Sequence, residues 1–357
     1  GCLAAAVTPA SAQLRITVTP GAAFQPMPIA VPNFSGDPTL GAQVAQIVAQ
    51  DLKTSGYFNV LDPASYLERA VGADVTPNFN NWRGINAQAL VAGTVSQQGG
   101  QIVAQVRVWD VYGGSQLVGA QFATSPDNVR RLAHIVADAA YSQLTGFKGF
   151  FDSRVAFVDE SGPKSNRVKK LAIMDWDGAN VRYLTRGQEL VLTPRFSPNG
   201  QQLAYMSYGS GDPKVFILNV ASCARQLVGD FPAMTFSPRF SPDGGTLVFS
   251  MQKEGNANIF SMNLGGRALQ PLTNGAAIDT SPSFSPDGSQ IVFESDRGGQ
   301  QQLYVMDRGG GGAKRISFGS GRYSTPVWSR RNSSRYDCPT CSSRSTATSV
   351  RSSNARS

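Results

Sequence analysis

The chain has 357 residues, among them 37 Gly and 21 Pro, with 16% charged residues and a formal charge of +8. Its single histidine, His134, excludes His-cluster metal sites, and any Ser-His-Asp or Cys-His chemistry would have to be built on that residue. No apolar run reaches the roughly 18 residues of a spanning helix, and the glycine and proline content favours turn-rich β structure over a helical bundle.

From the N-terminus, Leu3-Ala4-Ala5-Ala6-Val7 is apolar and leads through Pro9 to Ala10-Ser11-Ala12, an A-x-A cleavage pattern. Residues 1–12 therefore read as the remnant of a secretory signal, with a lipoprotein box ending at Gly1-Cys2 as the alternative. Export implies an oxidising compartment. Cys2 would leave with the signal and Cys338 and Cys341 lie in an atypical tail, so Cys223 stands alone and no structural disulfide is expected.

Residues 13–150 read as a small α/β domain. Leu14 to Val18 alternates as a strand, and Pro28 to Pro32 is a short apolar strand ending at Asn33 to Asp37. Leu40, Val44, Ile47, Val48 and Leu52 form a helical stripe stopped by Gly56. Phe58 to Leu61, Ala89 to Val95, Ile102 to Asp110 and Leu117 to Phe122 are strands. Ser125-Pro126 is expected to cap a last helix carrying Val129, Leu132, Ile135, Val136, Ala139 and Leu144, and ending at Gly146. His134, in its middle, has no Ser, Cys or carboxylate beside it in a motif. It reads as a packed or hydrogen-bonded histidine, bonding between domains, rather than a general base.

A repeat begins at about residue 151. Phe196-Ser197-Pro198-Asn199-Gly200 recurs 44 residues later as Phe240-Ser241-Pro242-Asp243-Gly244, and again as Phe284-Ser285-Pro286-Asp287-Gly288. Pro194, Pro238 and Pro282 hold the same phase, and Thr325-Pro326-Val327-Trp328-Ser329 starts a further copy. Strand patterns keep the period too, as at Leu171, Val215, Ile259 and Leu303. Four strands in roughly 40–45 residues is the size of a β-propeller blade. Asp175, Asp177, Asp243 and Asp287 occupy turn positions where Asn199 and Asn219 substitute elsewhere, so they read as turn formers, not as glycosidase carboxylates.

Residues 330–357 break the repeat inside its turn motif. They hold nine Ser and six Arg and no Leu, Ile, Phe or Gly. The expectation is a frameshifted, disordered tail, in which Cys338-Pro-Thr-Cys341 is an accident rather than a zinc half-site. This tail carries +5 of the net charge and residues 13–329 only +3, which weakens a nucleic-acid reading based on charge.

The whole pattern resembles the TolB family of the Tol–Pal system. Pro28-Ile29-Ala30-Val31-Pro32-Asn33-Phe34-Ser35-Gly36 is similar to its first-domain signature. Arg131 to Asp138, Tyr141, Leu144-Thr145-Gly146 and Gly149-Phe150-Phe151 are similar to its domain-joining helix and the start of its propeller. The resemblance covers about residues 13–329. It implies an α/β N-terminal domain followed by an all-β propeller, of six blades in the family and about four here.

The resemblance also implies a periplasmic, monomeric adaptor without catalysis, cofactor, metal or nucleic acid. Such an adaptor binds the lipoprotein Pal at the propeller mouth and the inner-membrane protein TolA through its N-terminal strand. It serves outer-membrane integrity and constriction in cell division, contacts outer-membrane proteins, and is exploited for bacteriocin import. The Pal positions would be Leu192, Thr193, Met234, Thr235, Phe236, Ser237, Asp279, Thr280, Ser281, Ser324 and Thr325. Met234 and Phe236 stand where the family can carry His and small residues. The TolA positions would be Gln13, Leu14, Arg15, Ile16, Thr17, Val18 and Thr19, available for strand addition. The alternative is an exported propeller hydrolase, a glycosidase or peptidase. The lack of a G-x-S-x-G elbow and the single histidine weigh against it.

Overall fold

In the N-terminal part, local signals convert directly into elements. Strand β1 (Met27–Ala30) is followed at once by a second strand, β2 (Asn33–Gly36), where sequence pattern suggested only a strand end. Asp37 then caps helix α1 (Pro38–Thr54), accepting from the Thr39 and Leu40 amides at 2.9 and 3.0 Å. The expected stripe faces inward, with Val44, Ile47, Val48 and Leu52 buried. Next come β3 (Phe58–Val60), β4 (Ala70–Val71), α2 (Phe79–Arg83), β5 (Ala89–Gln98), β6 (Gln101–Asp110), β7 (Ser115–Thr124) and α3 (Val129–Thr145). Pro126 opens a 3₁₀ turn, so the last helix starts three residues later than its proline suggested. Gly146 ends it in the left-handed conformation, φ 76°.

These strands form one mixed sheet. β3, β1, β5, β2 and β4 pair in parallel, and β6 and β7 continue antiparallel from β5. The structure, a computed structural model, describes residues 14–16 and 24–329. It divides into two units, one of residues up to 157 with 172–184, the other of 158–171 with 185 onward. The sheet and α1 and α3 make the core of the first unit, around Ile29, Phe34, Val91, Val106, Leu132, Val136 and Leu144.

The residues after α3 show why its sequence is patterned as it is. The Asp138 carboxylate accepts from the Phe151 and Asp152 amides at 2.8 and 3.0 Å, and Arg131 pairs with Asp152 at 3.0 Å. Tyr141 stands edge-on to Phe150 and Phe151 with centroids 5.7 and 5.4 Å away. His134 bonds Asp51 of α1 at 2.6 Å, a partner within the same unit and not across domains. The expected strand Leu14 to Val18 is not formed at Leu14, Arg15 and Ile16. There the Ile16 amide donates to the Leu144 carbonyl at 2.7 Å and both apolar side chains pack on the core. Residues 1–13, 17–23 and 330–357, including the signal, the rest of the expected strand and the tail, lie outside the described residues.

The repeat folds as sheets. The first has three strands, β8 (Arg154–Ser161), β9 (Val168–Asp175) and β10 (Arg182–Tyr183). Three four-stranded antiparallel sheets follow. They are β11 (Val191–Phe196), β12 (Gln202–Ser210), β13 (Asp212–Asn219) and β14 (Arg225–Leu227); then β15 (Met234–Phe240), β16 (Thr246–Lys253), β17 (Asn256–Asn263) and β18 (Leu269–Pro271); then β19 (Asp279–Phe284), β20 (Gln290–Ser295), β21 (Gln302–Asp307) and β22 (Lys314–Arg315). The further copy at 325–329 forms no strand among the described residues.

Neighbouring sheets bury one another. Ala204, Val215 and Ile217 of one pack with Leu247, Phe249 and Met262 of the next, and Val248 and Ile259 pack with Ile291, Phe293 and Tyr304 of the third. Each such aromatic contributes about 3 kcal/mol by leaving water, which a blade alone could not provide.

The recurrent Ser-Pro-Asp-Gly is a turn, as its residues indicated. Gly200, Gly244 and Gly288 have φ 68–74° and donate to the carbonyl three residues back at 2.9 Å. The Asp243 and Asp287 carboxylates accept the preceding serine hydroxyl and a following amide, and Asn199 does the same.

Another rule emerges only in three dimensions. The amides of Leu171, Ile259 and Leu303 donate to hydroxyls of Thr185, Thr273 and Ser317 at 2.9–3.0 Å. The equivalent residue of the first four-stranded sheet is Gly229, which has no hydroxyl. There the Val215 amide turns to Thr235, at 2.8 Å.

Candidate partner-binding rim of the propeller

The first strand of each full sheet is interrupted at one place. A β-bulge separates Leu192 from Arg195 in β11, Phe236 from Arg239 in β15 and Thr280 from Ser283 in β19. Thr193, Ser237 and Ser281, 44 residues apart, sit at these bulges with φ 52–54°, and Thr325 repeats the conformation at 51°. A left-handed backbone is rare for any residue with a Cβ and rarest for β-branched threonine, costing about 1–3 kcal/mol. Four polar residues are held this way at matching positions, Thr193 and Thr325 exposed and Ser237 and Ser281 half-exposed. β15 lies against both β11 and β19, so the positions are neighbours.

The expected partner residues divide into two groups. Leu192, Met234, Phe236, Ser237, Thr280 and Ser281 are half-exposed, and Thr193, Ser324 and Thr325 are exposed. Thr235 and Asp279 are turned inward: Thr235 is 2% exposed and engaged by Val215, and Asp279 is 1% exposed and held by Arg297 at 3.0 Å. They brace the rim and do not present themselves to a partner. Motif spacing could not separate the two groups, because each inward residue is only one or two positions from an outward one.

Glu294 organises one end of the rim. It is 6% exposed and accepts from the Thr280 and Ser281 hydroxyls, both at 2.6 Å, from Gln301 Nε2 at 2.8 Å and from the Thr325 amide at 3.2 Å. One carboxylate thus gathers three of the rim residues. At the other end Glu189 receives Arg225 at 2.7 and 2.8 Å and the Ser207 hydroxyl at 2.6 Å. The Arg225 guanidinium, then the Ser207 hydroxyl, hold its carboxyl below the usual carboxylate range. Just past two bulges, Arg195 and Arg239 donate to the carbonyls of Pro194 and Pro238 at 2.9 and 3.1 Å. Burial lowers both guanidinium groups, and Arg239, which also feels the charge of Arg195, comes down to about 10.

Two sequence families match the chain. The TolB amino-terminal domain matches residues 14–117, and the TolB beta propeller domain matches residues 141–336. The chain belongs to the TolB family. Its fold is similar to the crystal structure of TolB from Acinetobacter baumannii, with 28% identity and a TM-score of 0.73 over 85% of this chain and 74% of that one. A putative TolB from Agrobacterium tumefaciens is 14% identical over 61% of this chain and 76% of that one, with a TM-score of 0.39. An oligogalacturonate lyase from Vibrio parahaemolyticus is 20% identical over 58% and 55%, with a TM-score of 0.36. Neither of these last two superposes closely enough to bear on function. The TolB architecture, an α/β domain followed by a propeller, is what the strands here build, and no described helix is long and apolar enough to cross a membrane.

Proposed function

We propose that the chain is a non-catalytic periplasmic adaptor of a Tol–Pal system. Its propeller rim binds Pal, and its N-terminal segment, residues 13–19, adds as a strand to TolA. It thereby serves outer-membrane integrity and constriction during division, and bacteriocins exploit the same rim for import. The observation that carries the Pal half of this reading is the row of left-handed Thr193, Ser237, Ser281 and Thr325. Backbone strain kept at one place in successive blades is accounted for by what the side chains there meet. The apolar Leu192, Met234 and Phe236 beside them supply the contact area that polar residues alone lack.

Glycine at Thr193 and Ser237 tests it. Glycine adopts φ near 50° without penalty, so the backbone is preserved while the side chains go. Calorimetric titration with the periplasmic domain of Pal should show the Thr193→Gly/Ser237→Gly chain binding at least 10-fold more weakly than the parent, with unchanged circular dichroism. Equal affinity would place the Pal surface elsewhere.

A further inference from the structure

The only histidine in the chain is 2% exposed and stands among carboxylates. Nδ1–H donates to Asp51 Oδ2 at 2.6 Å, and Asp51 Oδ1 accepts from the Trp176 indole at 3.2 Å. Nε2 is buried and has no hydrogen-bond partner among the described residues, and in the neutral Nδ1–H tautomer it carries the ring's lone pair. Asp175 and Asp177 lie close by, and a donor atom from each of the three residues lies within 4.8 Å of the others. All of these residues belong to the first unit.

Three potential donor groups thus converge, with the Arg130 guanidinium beside the two carboxylates. Arg130 pairs with Asp177 and has Nε 3.7 Å from Asp175 Oδ2. One guanidinium thus stands beside three carboxyl groups, those of Asp51, Asp175 and Asp177. The turn at Asp175 supports a ligand role: Asn180 bonds Asp175 Oδ2 at 2.7 Å and the Ala179 amide bonds Asp177 Oδ1 at 3.1 Å, so each carboxylate keeps one oxygen outside its turn bond.

We propose that His134 Nε2, Asp175 and Asp177 form a divalent transition-metal site, for which zinc is the best-suited ion. One imidazole and two carboxylates are a borderline donor set that suits zinc, with water completing its coordination. Asp51 plays the part that a carboxylate commonly plays behind a metal-bound histidine, fixing the tautomer that offers Nε2. Zinc–ligand distances of about 2.0–2.2 Å bring donors to roughly 3.4 Å of one another. The closing movement falls to Asp177, an exposed turn residue whose side chain is 19% exposed, and the Arg130 side chain, 29% exposed, gives way to solvent. The same exposure provides the ion's route in.

The test is calorimetric titration of the chelator-treated full chain with zinc chloride at pH 7.5. A Cys338→Ser/Cys341→Ser background is run in parallel, because those thiols could bind zinc independently. One zinc per chain is expected in both. His134→Gln and Asp177→Asn should each weaken it at least 10-fold, and Asp51→Asn by 10–100-fold through loss of the tautomer. Arg130→Ala should tighten it, since a competing cation is removed. Circular dichroism checks that every variant is folded, and X-ray absorption of the loaded protein should show nitrogen and oxygen donors without sulfur. The proposal is overturned by absence of zinc binding, by binding that His134→Gln leaves intact, or by nitrogen NMR showing His134 protonated at Nε2 and unmoved by zinc.

Discussion

Replacing Glu294 by glutamine tests whether this carboxylate organises the rim. The two side chains have the same shape, but glutamine offers one acceptor oxygen where glutamate offers two. In the structure the Thr280 and Ser281 hydroxyls share Oε1, while Gln301 Nε2 and the Thr325 amide share Oε2. If the amide oxygen takes the Oε1 position, the hydroxyls retain neutral bonds, each weaker by about 1 kcal/mol than bonds to a charge. The amide NH₂ then confronts two donors. Thr325 is exposed and Gln301 half-exposed, so both can turn to water at the low end of the roughly 1–3 kcal/mol cost of an unmade bond. The total is about 2–4 kcal/mol, or roughly 5–10 °C in melting temperature for a unit of this size. Urea unfolding followed by circular dichroism measures it, and hydrogen exchange at the Thr325 amide should accelerate in step. A change below about 0.5 kcal/mol with unaltered Thr325 exchange would refute the role given to Glu294.

Three further outcomes follow from other parts of the molecule. The Ser241 and Ser285 hydroxyls, foremost, hold Asp243 and Asp287 down to about 2. Their contribution is therefore complete above the unfolded value near 3.9 and is lost as pH falls through about 2. Asp243→Asn/Asp287→Asn should flatten that acid limb in pH-dependent unfolding and leave the region above pH 5 unchanged in slope. Thr273→Val removes the acceptor of the Ile259 amide at near-constant volume and should cost about 1–3 kcal/mol in urea unfolding, as should Thr235→Val, which serves Val215 in the blade where Gly229 supplies no hydroxyl. Gly36→Ala should be far more damaging. A Cβ there would lie 2.2 Å from the Val95 carbonyl oxygen and φ is +91°, so soluble yield and the thermal transition of the first unit should both fall sharply.

The sequence alone determined a great deal of this fold, because its strongest signals are local or periodic. The 44-residue step of the Ser-Pro-Asp-Gly turn specifies where strands begin and how many fit between turns, and the apolar spacing from Leu40 to Leu52 specifies a helix face. Turn chemistry depends on three or four consecutive residues, so reading Asp243 as a turn former needed no neighbours. Short strands such as β2 and β4 escaped notice, since two to four residues have no period and exist only by pairing with β5 and with each other.

The rim was legible as a region but not side chain by side chain. Whether Thr235 faces a partner or the Val215 amide depends on a glycine six residues earlier in the chain and on a bulge whose register is decided by the opposing strand. His134 shows the same limit more sharply. Along the chain it has no carboxylate in a motif, yet folding brings it Asp51 from 83 positions away, Asp175 from the end of β9 and Asp177 from the turn that follows. Periodicity and turn propensity act over a few bonds and are written in the sequence. The charge and hydrogen-bond environment of a side chain depends on atoms a few ångströms away, which only the packed chain brings together.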